Sequence, residues 1–444
     1  MVKILILMIW LSALYLAVYK PLIFILLYGL IGSRYDACGI GNYLSTFQSN
    51  HFLVLELLLI LSTVITLIKF NKQDYNSIMF FSVIFCIGIL FSTILYCIFA
   101  NYSFTVVQIL LLFIYNLTNY GPPILVILFA NKDKYDLKII LCRYVILQII
   151  IAFLVVYLPT WGVNVLDNIS GANYVSDGYV YGKNISNLFN FYEALKNKYT
   201  FNGIGQFHNG NDLGFFGGIG MLLCINKLIF EKTKKRIIYL MLMLISFFLW
   251  TNSGMRAPLI GILLAIPLYN LMQKNIAKKT INIIIGLVIF AILITIPTVQ
   301  DFLSYLIVTK ESISYTSRSE LLANGIEFLK NNWFIGAGGL LGNLTPIGID
   351  PHQLPMRISV LFGIGTGIVS AWLVFICPII YFLKQKNKNI SFYSIALLLI
   401  VWLTALTNNY TCIVLFWMIY SAAISDTTRS CIITEMNTSR VIHG

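Results

Sequence analysis

About a dozen runs of roughly twenty mostly apolar residues follow one another through this 444-residue chain, and no other feature restricts its fold as much. As helix, such a run matches a hydrocarbon layer about 30 Å thick. Inside lipid a backbone can satisfy its own N–H and C=O groups only in a helix or a closed barrel, so the runs read as helices. Spans are expected near 4–32, 52–69, 78–99, 104–130, 139–158, 213–230, 237–253, 257–273, 281–299, 357–383, 391–408 and 411–425. The expected fold is an all-α polytopic membrane protein of about 12 transmembrane helices, one integral-membrane domain over 1–444. With 59% hydrophobic and 11% charged residues, little chain is left for a soluble domain. The first run is interrupted by Lys20 and Pro21 and is read as one kinked span. Lys3 ahead of an apolar core resembles a signal peptide, but no small-x-small site precedes Lys20, so an uncleaved anchor is expected.

Orientation follows from the short connections. KQD at 72–74, NKDKYDLK at 131–138, EKTKKR at 231–236, QKNIAKK at 273–279 and KQKNKN at 384–389 all fall on one side of this alternation. The lysine and arginine bias assigns that side to the cytoplasm, with both termini there and two long periplasmic loops, 159–212 and 300–356. The net charge of +13 is explained by these clusters, which form no single basic patch, so nucleic acid is not an expected partner. The eight cysteines lie almost entirely within spans or beside the cytoplasm, which leaves no disulfide framework and no CxxC zinc site.

Polar residues are scarce inside the spans. Lys20, Glu56, Arg143 and Lys227 fall within them, and all but Lys20 lie close enough to an end to snorkel or to fall outside the true boundary of the span. An ion-coupled transporter needs a partnered charge near midplane and often repeated halves, and neither is visible. Asn116, Asn119 and the GPP at 121–123 do break one helix. The loop 159–212, rich in asparagine and tyrosine, suits carbohydrate, whose C–H patches and hydroxyls match aromatic faces and amides. A wet interfacial loop has the same composition. It closes into GIGQFHNGNDLGFFGGIG, where His208, Asn209, Asn211 and Asp212 precede a glycine-rich span. A direct role and a plain helix cap with a close-packing face both fit that cluster.

TNSGMRAPLIG sets Arg256 at the start of a span, where it either snorkels or, with the helix dipole, receives a phosphate. Within 300–356, Leu321, Leu322, Ile326, Phe328 and Leu329 recur at helical spacing, so a short amphipathic surface helix is expected over 318–331. GAGGLLGN has the glycine density of an anion nest but lacks GK[ST]; a mobile turn is expected there rather than a phosphate cradle. No HExxH or DxD occurs and four scattered histidines have no metal-ligand spacing, so no metal or other cofactor is expected. PHQLPMRISVLFGIGTG then puts His352 and Arg357 five residues apart at the mouth of an apolar run.

HQLPMRISVLFGIGT resembles the His-[Asn/Ser/Gln]-x9-Gly-x-x-[Gly/Thr/Tyr] signature of the bacterial O-antigen polymerase and O-antigen ligase superfamily, with His352, Gln353, Gly363 and Thr366 at the matching positions. SRSELLANGIEFLKNNWFIGAGG is similar to the family's arginine, short helix and Gly-x-Gly turn, here Arg318, Gly336 and Gly338. TNSGMRAPLIG resembles its Ser-Arg element, except that Gly254 and Met255 separate Ser253 from Arg256. FHNGNDLG is similar to its Phe-x-x-x-Asn element through Asn211. The resemblance covers roughly 200–410; each motif is weak alone, and their order on one expected side gives them weight.

That resemblance implies a multi-pass bacterial inner-membrane glycosyltransferase that moves a glycan from undecaprenyl diphosphate to an acceptor hydroxyl at the periplasmic face, without a metal. Its partners would be the lipid-linked oligosaccharide, membrane lipids, a chain-length regulator and a flippase. Arg256, Arg318 and Arg357 are the expected diphosphate clamps, and His352 the base. Pro351 and Pro355 would hold His352 in an extended turn above a helix beginning near Arg357. Gln353, Asn211 and His208 are expected around the substrate. Asp36, in SRYD on the first outer loop, ranks below His352 as a catalytic carboxylate. The aromatic, asparagine-rich loop and divergent N-terminal half favour an O-antigen polymerase; the alternatives are an O-antigen ligase acting on lipid A core, and a lipid-linked oligosaccharide flippase or other transporter.

Overall fold

A computed structural model describes residues 2–32, 44–45, 47–69, 77–99, 105–132, 135–160, 210–230, 233–253, 257–272, 313–339, 351–384, 391–407 and 414–425. At 2, 152–160, 210–213, 229–230, 248, 251–253, 271–272, 313–318 and 384 it describes the backbone alone. Within these residues all regular structure is helical. In chain order the helices are α1 Val2–Tyr19, α2 Pro21–Ile31, α3 His51–Ile68, α4 Ser77–Phe99, α5 Val106–Asn119, α6 Pro122–Ala130, α7 Leu137–Thr160 and α8 Gly210–Phe230. There follow α9 Lys235–Ser253, α10 Ala257–Met272, α11 Ile313–Asn332, α12 Leu354–Phe362, α13 Ile364–Ala371, a π turn Trp372–Ile376, α14 Cys377–Lys384, α15 Phe392–Thr407 and α16 Val414–Ile424.

Three described helices, α3, α4 and the Ile364–Leu383 segment, are long and apolar enough to cross a membrane. The pair α5 and α6 also qualifies as one crossing bent by 56°. The GPP sequence causes that bend. Gly121 takes a left-handed φ of 73°, and Pro122 and Pro123 open α6, where a missing N–H costs no helix bond. The expected spans near 237–253, 257–273, 391–408 and 411–425 reappear as helices within a few residues; the one near 281–299 lies outside the described residues.

The core is formed by α6 and α16, in which Leu125, Ile127, Leu415, Phe416, Trp417 and Tyr420 are wholly buried. Phe129 meets Tyr420 edge-on across them. Around this pair stand α2, α3, α4, α7 and α15. Peripheral helices carry apolar side chains outward instead: Ile368, Trp372, Ile379 and Leu383 recur at helical spacing on the exposed side of the α13–α14 segment. An apolar stripe facing out is what lipid requires and water penalises.

Two expected spans are corrected. Residues 4–32, expected as one kinked span, form two helices that double back on each other. The indole of Trp10 donates to Nδ1 of His51 at 3.2 Å, while Nε2 of the same ring lies 2.7 Å from the carbonyl of Ile31. On a continuous helix Trp10 and Ile31 would stand about 31 Å apart; sharing one imidazole brings them to about half that. The chain therefore turns back at Lys20, where φ −138° and ψ 64° leave helical space ahead of Pro21. The second correction concerns 357–383, which divides at Gly363 into α12 and the spanning segment. Glu56 is also corrected. Expected to snorkel, it lies in the second turn of α3 on the face of Leu55 and Leu59 and is 2% exposed.

The π turn has a local cause. Cys377 N–H reaches back to the Trp372 carbonyl, and Pro378 has no N–H, so the ladder leaves the carbonyls of Leu373 and Val374 to other donors. Tyr420 hydroxyl supplies one at 2.6 Å and Trp402 indole the other at 2.9 Å. The glycine-rich α8 packs closely on α9, as one of the two sequence readings anticipated. A Cβ on Gly217 would lie 2.6 Å from Trp250 N and 2.7 Å from Ser246 O.

Candidate functional site

The signature segment folds as a helical hairpin. Gln353 is extended at the N-cap of α12 and Pro355 occupies its first turn, so the helix starts at Leu354, one turn earlier than expected from Arg357. After nine residues Gly363 takes φ 85° and ψ 159°, a region closed to residues with a Cβ, and α13 departs in a new direction. On one straight helix Ser359 and Gly367 would be about 12 Å apart. Here a Cβ on Gly367 would overlap the Ser359 hydroxyl and lie 2.9 Å from the Pro355 carbonyl, so α13 folds back along α12. Thr366 donates to the Phe362 carbonyl at 3.0 Å and sits against Gly88 of α4. Gly363 and Thr366 thus shape the hairpin that follows His352.

The glycine turn after α11 locks this hairpin. Ala337 and Gly339 N–H donate to the carbonyls of Val360 and Leu361 at 2.9 and 3.0 Å, and Ile364 N–H returns a bond to Trp333 at 2.8 Å. Ser92 of α4 donates to the Ile335 carbonyl at 2.6 Å, and the Asn116 amide of α5 reaches Gly338 O at 3.4 Å and Thr93 at 3.3 Å. Gly336, Gly338 and Gly339 all have positive φ and are buried. The mobile turn expected for the start of GAGGLLGN is corrected: residues 336–339 are seated between α4, α5 and α12. Their N–H groups at 336, 337 and 339 are already given to backbone carbonyls, which also removes them from an anion nest.

The helix expected over 318–331 is present and longer, as α11, with Gly325 and Leu329 on its buried side. Ile326, placed in the apolar set from sequence, is 51% exposed. A Cβ on Gly325 would lie 3.3 Å from Val360 and 3.4 Å from Pro351, so α11 closes directly onto the turn that carries His352. Position 318 precedes Gly325 by two turns, which puts it on the same helix face about 10 Å along the axis. Trp333 and Phe334 are exposed at the end of α11, with Phe334 edge-on to Phe91 of α4.

His352 and Gln353 are half-buried, and Arg357, in the first turn of α12, is 9% exposed. These three share one turn and helix start, with the backbone of Arg318 on the adjoining α11. Asn211 lies within the first turn of α8. Arg256, His208 and Asp36 lie outside the described residues. Sequence reasoning missed Ser92 and Thr93 and read Asn116 only as part of a helix break: Ser92 and Asn116 donate to the glycine turn, and Thr93 accepts from Asn116; an asparagine within a span was the one available signal. No protein-family model matches the chain, and no curated protein matches it either.

Proposed function

We propose that the chain is a membrane glycosyltransferase, an O-antigen polymerase that extends a surface polysaccharide on undecaprenyl diphosphate at the periplasmic face of a bacterial inner membrane. One observation carries the reading: α11, with Arg318 in register, closes on the His352 turn through Gly325, while Gly363 and Thr366 bend the chain beneath it. Residues that the sequence signature sets far apart therefore have a physical reason to occur together.

In this reading the acceptor hydroxyl oxygen attacks the anomeric carbon of the growing glycan. The bond from that carbon to the diphosphate oxygen breaks, and undecaprenyl diphosphate leaves with the electron pair. His352 takes the hydroxyl proton. Arg318 and Arg357, with Arg256, offset the charge on the leaving diphosphate. A buried guanidinium in the first turn of α12 adds to the positive end of the helix dipole, an arrangement that favours a bound anion.

The test is chain extension in cells. His352→Ala should abolish polysaccharide elongation while leaving protein abundance normal; unchanged chain lengths would remove His352 from the mechanism. Deleting the gene and separating surface lipopolysaccharide on a gel distinguishes the readings. A single repeat on the core supports polymerase, bare core with lipid-linked polymer supports ligase, and an unaltered ladder supports neither.

A further inference from the structure

A cavity of about 440 Å³ opens at the far end of α6 from the hairpin, since Tyr120, just before α6, packs on Phe362 while Ala130 and Asn131 line the cavity. Three cations enter its wall from elements remote in sequence: Lys20 at the vertex of α1 and α2, Lys69 after α3, and Arg143 in α7. Among the described residues, none that lines the cavity is acidic. The cavity lies at the C-terminal ends of α3 and α6 and the N-terminal end of α7, which in sequence flank the connections expected to be cytoplasmic.

Helix ends alone do not account for these charges. Three C-termini meet here, those of α1, α3 and α6, and two N-termini, those of α2 and α7. At about half a charge each they nearly cancel, leaving a net of about −0.5 against three full cations. Lys69 ammonium spends one bond on the Val18 carbonyl at 3.5 Å, which holds it at the rim. Asn131 and Tyr135 add neutral polar groups, and Leu22, Leu26, Ile65 and Ile140 form an apolar wall below. Beside the cavity, Ile23, Ile68 and Ile139 carry that apolar surface to the exposed face of the bundle. Cations above an apolar wall open to the outside match an amphiphilic anion, whereas a small hydrated anion would leave the wall unused.

We propose that this cavity holds the phosphate of an anionic phospholipid headgroup between Lys20, Lys69 and Arg143, with the acyl chains lying on the apolar wall. This site is separate from the His352 turn and does not depend on the proposed reaction. The full-length protein, purified in a neutral detergent, is titrated with phosphatidylglycerol, phosphatidylcholine or inorganic phosphate, and thermal unfolding and native mass spectra are recorded. Phosphatidylglycerol should raise the melting temperature by a few degrees and remain bound in the mass spectrum. The combined Lys20→Gln, Lys69→Gln and Arg143→Gln variant should bind it more weakly, on the order of a hundredfold for three cations. Should that variant not fold, Arg143→Gln alone is compared with Arg143→Lys, and only the former should lose affinity. The proposal is overturned if phosphatidylcholine stabilises as well as phosphatidylglycerol, if the variants bind like the wild type, or if inorganic phosphate reproduces the whole effect.

Discussion

Gly363→Ala puts a methyl group where the hairpin has no room for one. The residue sits at φ 85° and ψ 159°, which costs a residue with a Cβ on the order of 1–3 kcal/mol. The new Cβ would overlap the Phe334 carbonyl oxygen, lie 2.6 Å from its carbon and come within 3.2 Å of Trp333 O. These neighbours are backbone, so they cannot rotate away. Relief requires the glycine turn to withdraw, which breaks the bonds of Ala337, Gly339 and Ile364 described above, each worth about 1 kcal/mol net. The sum, roughly 4–6 kcal/mol, is a large part of the 5–15 kcal/mol by which proteins are stable. Gly365 is the internal control. Two residues further, it is helical and exposed, and nothing lies within 4 Å of a Cβ built there. Alanine at 365 should be neutral or stabilise by up to about 1 kcal/mol. Thermal unfolding of both variants in the same detergent decides the matter. Gly363→Ala should unfold well below the wild type and Gly365→Ala at or above it; coincident curves for the two variants would refute the hairpin argument.

Three further outcomes follow, two from single contacts and one from the proposed function. Tyr420→Phe removes the donor to the Leu373 carbonyl beside the π turn and should cost about 1–3 kcal/mol in thermal unfolding; an unchanged midpoint would mean that carbonyl has another partner. Ser92→Ala should cost about 1 kcal/mol by loosening the glycine turn, measurable as faster proteolysis near residue 335. Arg256→Lys should impair chain extension if that residue binds phosphate oxygens in a bidentate manner, and full activity would favour the snorkelling account.

Much of the local structure was legible. The apolar runs gave helices, the two prolines after Gly121 gave the break between α5 and α6, and the spacing from Leu321 to Leu329 gave α11. The hairpin was not legible, because hydropathy runs unbroken through 357–383 and the bend depends on carbonyls of α12 accepting N–H groups from the earlier 333–339 turn. A glycine can bend a chain, but the partner that holds the bend is remote in sequence. For the site, the sequence chose His352, Gln353 and Arg357, which lie together in one turn and helix start. It gave no hint that Ser92 and Asn116 support the neighbouring turn, nor that Lys20, Lys69 and Arg143 share a cavity, since Lys69 and Arg143 each read as a cation near the end of a span and Lys20 as a break in the first run.

The amino-acid sequence alone determined that the apolar runs become helices, since a backbone in an apolar medium must bond to itself. It could not say which of those helices would lie inside. α1 and α16 are both strongly apolar, yet α16 is buried throughout while Ile4, Met8 and Leu11 of α1 face outward. Lipid tails and a protein interior are equally apolar, so composition does not separate them. Shape does: Trp417 and Tyr420 fill space beside Gly121 and the π turn, and that fit exists only once the helices have met.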